Sequence, residues 1–329
     1  MTAVRPAWRL LRRQLAGAAL ALLAALGLPA APAQAEPSLL FIGNSFLYAA
    51  GSPLLHWRDD TVTDLNHDGV GGVPALVKAF LVQAGLDHDV YLETRGGSGL
   101  DFHVEHKQAV LGRRGWDVVV MHGYSTLDPK RPGDAAKLVA STRQMVSFLQ
   151  QRNPQVQVHL MSTFPRADQV YPPGGAWAGK GLSAMVRDVR SGYDQAAAGA
   201  PGVKGVIPVG EAWERAMRAG VADPNPYDGV APGQLNLWTW DHYHASAHGY
   251  YLEALVRMLV DDGVIDATAD PWRLDISRLA TLRVPETLVA VLQARLDALP
   301  PRELAALQRA SIVGPVFWSE ALAALDATA

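Results

Sequence analysis

The chain has 329 residues, with 29 Lys and Arg against 32 Asp and Glu, no cysteine, and a hydrophobic fraction of 49%. That length supports one large domain or two small ones, and the apolar content excludes a disordered chain. The lack of cysteine excludes a disulfide scaffold, a thiol nucleophile and an iron–sulfur cluster, while a formal charge of -3 gives no reason to expect a nucleic-acid partner.

Residues 1–35 read as a secretory signal peptide. Arg5, Arg9, Arg12 and Arg13 make a basic start, and Leu15 to Leu28 is an unbroken Leu/Ala/Gly run. Pro29 and Pro32 break the helix, and Ala33-Gln34-Ala35 offers small residues at both cleavage positions. The alternative is an N-terminal membrane anchor, for which the run is short. Cleavage after Ala35 predicts an exported protein, periplasmic or secreted, and Arg12-Arg13 hints at twin-arginine export. No later stretch is long and apolar enough for an integral membrane segment.

From residue 36 onward, short β-rich runs alternate with helical patterns. The runs are Ser38–Ile42, Val90–Thr94, Asp117–Met121, Val156–Met161 and a weaker Val203–Val209. Near-continuous apolar runs of this kind suit parallel strands covered on both faces. Helical spacing appears over Val73–Ala84, Asp134–Gln151, Leu182–Ala198 and Ala247–Leu259. The alternation predicts an α/β fold with a five-stranded, mostly parallel sheet, spanning 36–265. The connection from Tyr48 to Gly72 is long and polar, an excursion beside the site. Residues 266–329 read as a helical C-terminal extension packed on the core. Ligands of such sheets bind outside the carboxyl ends of the strands, so chemistry is expected just after Ile42, Thr94, Met121 and Met161.

Two places carry residues suited to chemistry. Gly43-Asn44-Ser45 ends the first strand, where a serine can expose its hydroxyl and nearby N–H groups can face an oxyanion. Its bland reading is a helix cap. Asp241-His242-Tyr243-His244 precedes the last core helix, and its spacing can put a carboxylate and an imidazole in one site. The same stretch, with His248, also offers a metal-ligand cluster of His242, His244, His248 and Asp241.

Taken together, the order Ser…Asp…His and the motif Phe41-Ile42-Gly43-Asn44-Ser45-Phe46 resemble the SGNH (GDSL-like) hydrolase superfamily, in particular a DUF4886-like branch that begins with this motif. The resemblance runs from Ser38 to about Val260. It implies a flavodoxin-like, three-layer α/β/α fold with no cofactor and no metal. It makes Ser45 the nucleophile and an oxyanion donor through its own N–H, with Asp241 and His244 as acid and base. It also makes Gly96-Gly97-Ser98-Gly99-Leu100-Asp101-Phe102-His103 the second block, with Gly97 as second donor. The superfamily's third block, G-x-N-D, is replaced here by Met121-His122-Gly123-Tyr124. His122 stands in that place as a possible third donor, and Asn44 is another.

Other signals are weaker. Asp64-Leu65-Asn66-His67-Asp68-Gly69 copies the start of a calcium loop, but Ala75 stands where the bidentate acid belongs, so a polar turn is the reading. His103-Val104-Glu105-His106 reads as a solvated helix turn rather than a metal site. Trp238 and Trp240 flank the base, and Trp177 lies in a Gly/Pro-rich loop after the fourth strand; all three could stack on a sugar ring, core packing being the alternative. The sequence thus predicts an exported serine esterase acting on a small-molecule or carbohydrate ester, such as an O-acetylated glycan. A metal-dependent hydrolase built on the histidine cluster and a non-catalytic glycan-binding module are the rivals.

Overall fold

The computed structural model describes residues 36–261 and, by backbone alone, the short strands at 265–266 and 273–274. The expected signal peptide and almost all of the expected C-terminal extension lie outside the described residues. In chain order the elements are β1 (Ser38–Gly43), β2 (Thr63–Asp64), α1 (Gly72–Ala84), β3 (Asp89–Thr94), α2 (Leu100–His106), α3 (Gln108–Leu111), β4 (Val118–Met121), α4 (Ala136–Gln150) and β5 (Gln157–Met161). They continue with α5 (Ala167–Val170), α6 (Leu182–Ala198), β6 (Val203–Ile207), α7 (Val209–Arg218), α8 (Ala247–Asp261), β7 (Ile265–Asp266) and β8 (Arg273–Leu274).

Six parallel strands form one sheet in the order β2-β3-β1-β4-β5-β6. The sixth strand beyond the expected five is β2, two residues inside the long excursion after β1. A pair that short leaves no periodicity to read. All six residues of β1 are buried, as its unbroken apolar sequence requires of a central strand. Successive side chains point to opposite faces. Leu39 and Phe41 join a core with α1, α7 and α8, whereas Leu40 and Ile42 join one with α4 and α6. The result is the expected three-layer α/β/α arrangement.

Apart from shifts of one or two residues at element ends, two features differ from the sequence pattern. The β-branched run Val203–Val209 predicts a strand to Val209, but the strand stops at Ile207. Pro208 has no N–H for the ladder, and Val209 opens α7, whose Val209, Ala212, Trp213 and Met217 are buried at helical spacing. Where a helical extension was expected from residue 266, Arg273–Leu274 pairs antiparallel with Ile265–Asp266.

The register aligns the strand ends. Gly43 lies opposite Thr94, Ile42 opposite Met121, and Met121 opposite Leu160. The chain passes from β1 to β3 on one side, then crosses back to β4 on the other. The carboxyl end of β1 is therefore the topological switch point, where loops part and a cleft opens. Gly43-Asn44-Ser45 occupies that point.

Candidate active site

The chain turns sharply after β1, with the Leu47 N–H donating to the Asn44 carbonyl at 3.0 Å. Ser45 Oγ faces His244 Nε2 at 3.1 Å, and His244 Nδ1 faces Asp241 Oδ2 at 2.6 Å. A carboxylate accepts, so Nδ1 carries the proton and Nε2 offers its lone pair to the Ser45 hydroxyl. The three residues that the sequence separates by 199 positions thus form one line.

A tight loop presents Asp241 and His244. The Thr239 N–H donates to the His244 carbonyl at 2.8 Å, and the Ser246 N–H to that of Leu237 at 2.8 Å. Asp241 Oδ1 accepts from Thr239 Oγ1 at 2.6 Å and from the N–H groups of Tyr243 and His244, both at 2.9 Å. Partial burial pushes the Asp241 carboxyl up, but these bonds and the one from the His244 ring outweigh it and hold it well below the usual carboxylate range. The Asp241 carboxyl therefore stays ionised. On its flank, the Tyr243 ring lies 4.2 Å from that of His244 and is covered by the Arg166 guanidinium at 3.7 Å. Asp168 holds Arg166 through two bonds, of 2.9 and 2.5 Å. Sequence reasoning missed Thr239, Tyr243 and Arg166, because Thr239 and Arg166 lie outside the motifs, Tyr243 fills an unspecified position of one, and each acts through a neighbour.

The candidate oxyanion donors separate into two pairs. The N–H groups of Ser45 and Gly97 bond to no backbone acceptor among the described residues. Gly97 has φ 71° in a turn closed by the Ser98 N–H on the Arg95 carbonyl, and a glycine meets that left-handed requirement without strain. Asn44 and His122 are otherwise engaged. Asn44 Nδ2 donates to the Ser98 carbonyl at 2.8 Å and the Gly123 carbonyl at 3.2 Å, while Oδ1 accepts from the Phe46 N–H. Both amide hydrogens are spent, so Asn44 staples the loops after β1, β3 and β4 instead of offering a donor.

His122 is 1% exposed, and its Nδ1 donates to the Gly123 carbonyl at 2.9 Å. Burial pushes its pKa down to about 4, against the pull of that carbonyl. The ring is neutral at physiological pH, so Nε2 is a bare acceptor and cannot donate to an oxyanion. That nitrogen is packed over Gly43, where an added Cβ would meet it at 2.5 Å.

Two of the three expected sugar-stacking indoles are core residues. Trp177 is 2% exposed with Nε1 on Asp188 Oδ2 at 2.7 Å, and Trp238 is 1% exposed with Nε1 on the Pro165 carbonyl at 2.9 Å. Both satisfy the indole N–H internally, as buried Trp must. Trp240 is 86% exposed beside Asp241 and keeps a free face.

The alternative metal cluster does not assemble. His244 faces the serine and the aspartate, and His242 packs edge-on against Tyr227 at 4.2 Å. Among the described residues no three His, Cys, Asp or Glu side chains converge on one point. The calcium-like loop is a turn: Asp64 accepts from the N–H groups of Asn66 and Asp68. The expected solvated turn at His103 to His106 is half right. Glu105 and His106 are exposed, but His103 is fully buried against Glu93.

Neither protein-family models nor curated proteins give a match to the chain. Solved structures do. A proposed SGNH hydrolase from Slackia heliotrinireducens is similar at 22% identity and a TM-score of 0.44, over 68% of this chain and 97% of the other. A DUF4886 family protein from Bacteroides uniformis is similar at 17% identity and a TM-score of 0.48, over 68% and 82%. An acetylxylan esterase from Geobacillus stearothermophilus is similar at 17% identity and a TM-score of 0.44, over 68% and 92%.

Proposed function

We propose that the chain is a serine ester hydrolase of the SGNH (GDSL-like) type. The observation that carries the reading is the line Ser45 Oγ, His244, Asp241, with gaps of 3.1 and 2.6 Å, at the switch point of a parallel sheet. Ser45 attacks the ester carbonyl carbon while His244 Nε2 takes its proton. The carbonyl oxygen becomes an oxyanion, which the Ser45 and Gly97 N–H groups receive. Asp241, held ionised, stabilises the imidazolium. His244 then returns the proton to the departing alcohol. Water, deprotonated by the same nitrogen, releases the acid from Ser45.

The substrate class we infer is a short acyl ester on a carbohydrate or another small alcohol. Trp240 supports it, since an exposed indole face beside the acid is suited to a sugar ring. Export is part of the proposal and rests on the basic start and apolar run of residues 1–28. The test is a fluorophosphonate, which should label wild-type protein at Ser45 and leave Ser45→Ala unlabelled. A panel of p-nitrophenyl esters and acetylated sugars then sets the acyl length. Labelling elsewhere, or full esterase activity in Ser45→Ala, overturns the reading.

A further inference from the structure

Directly behind the nucleophile lies a second histidine–carboxylate pair that the reaction above does not use. Glu93 on β3 and His103 on α2 are both 0% exposed. His103 Nδ1 meets Glu93 Oε2 in a short contact, and Nε2 faces the Gly43 carbonyl at 2.9 Å. Glu93 Oε1 also receives Lys107 Nζ at 3.1 Å and Asn66 Nδ2 at 3.1 Å. Burial pushes the Glu93 carboxyl up, but the bonds from His103, Lys107 and Asn66 more than reverse this, so it is ionised. Each nitrogen of His103 therefore faces an oxygen that can only accept, and each must donate.

We propose that His103 is a positioning residue of this hydrolase, which fixes the nucleophile's strand end against the turn that carries Gly97. The inference rests on the serine-hydrolase reading. Gly43 stands two residues before Ser45, and its carbonyl accepts twice: from His103 Nε2 and from the Arg95 N–H at 3.0 Å. Arg95 opens the turn that places Gly97. Ser98, which closes that turn, has its hydroxyl 3.4 Å from the same histidine nitrogen. One imidazole thus ties together the two segments whose N–H groups receive the oxyanion. A displacement of about 1 Å at such a site can cost on the order of 10²-fold in rate. Stability alone is a poor account of the pair. Replacing a buried ion pair with apolar side chains of similar size is often neutral or stabilising.

The experiment compares wild type, His103→Gln, His103→Leu and Ser45→Ala with p-nitrophenyl acetate and a fluorophosphonate. His103→Leu leaves Glu93 with only Lys107 and Asn66 as partners, so it should fold with lowered stability, keep its KM, and lose about 10²-fold in kcat and in labelling rate. His103→Gln should recover part of both, because its amide can still donate to the Gly43 carbonyl. Equal losses in the two variants, or wild-type kcat in folded His103→Leu, would overturn the proposal. If His103→Leu does not fold, selective 15N-histidine NMR of the wild type decides. Both nitrogens of His103 should carry protons, and an unprotonated Nε2 would refute the contact. Activity in Ser45→Ala would instead sink the serine reading, and is scored separately.

Discussion

Replacing His122 with Gln removes a group that resists protonation in the folded protein. A histidine in an unfolded chain titrates near 6.5, whereas burial holds His122 down to about 4. Between those values the unfolded chain binds a proton that the native state refuses. Stability therefore rises with pH across that window and is lost as pH falls through it. The linkage relation gives about 2.5 kcal/mol of lost stability between about pH 7.5 and about pH 4.5 for this one group. Other titrating groups, including the similarly shifted His159, are present in both proteins and cancel in the difference. Gln keeps a donor for the Gly123 carbonyl and does not titrate. Urea unfolding followed by tryptophan fluorescence at the two pH values should show wild type losing about 2.5 kcal/mol more than His122→Gln. Superimposable pH dependences would mean that His122 accepts a proton in the native state, and the account of its bare Nε2 would fail.

Three further outcomes are expected. Asp241→Asn should lower kcat by about 10⁴-fold with little change in KM, since an amide cannot hold His244 in the productive tautomer; steady-state kinetics on a short-chain ester checks it. Gly43→Ala should cost about 1–3 kcal/mol in denaturant unfolding, because its Cβ would meet His122 Nε2 at 2.5 Å and Leu47 Cδ1 at 2.7 Å. Trp240→Ala should leave the unfolding midpoint unchanged and raise KM for an acetylated sugar but not for p-nitrophenyl acetate; a parallel rise for both substrates would remove the sugar platform.

The strands and the triad candidates were legible for physical reasons. Buried parallel strands need unbroken apolar runs, and Leu39 to Ile42 and Val118 to Met121 supply them. Ser45 and the Asp241–His244 pair sit where such a sheet puts its ligands. What escaped depends on distance in space. The composition around Trp177 and Trp238 suggested a site, yet only the packing shows their N–H groups satisfied inside. The tautomer of His122 follows from the Gly123 carbonyl, which no spacing rule reports. The role of Asn44 likewise emerges only when three loops meet at its amide. His103 falls within the glycine block that suggested Gly97, but its burial against Glu93 joins two elements ten residues apart.

The order of the elements also bears on how activity is acquired. Every strand of the six-stranded sheet is complete by Ile207, while His244, the base of the proposed reaction, lies just ahead of α8. Tyr250 on that helix reaches back to the Ser45 carbonyl at 3.4 Å. Under the proposed reaction, a chain whose six strands are paired but whose α8 has not docked holds Ser45 without its base and should not turn over an ester. Turnover would then report the docking of α8. In refolding, far-ultraviolet circular dichroism will follow the sheet and the early helices, and the onset of turnover will follow the arrival of α8.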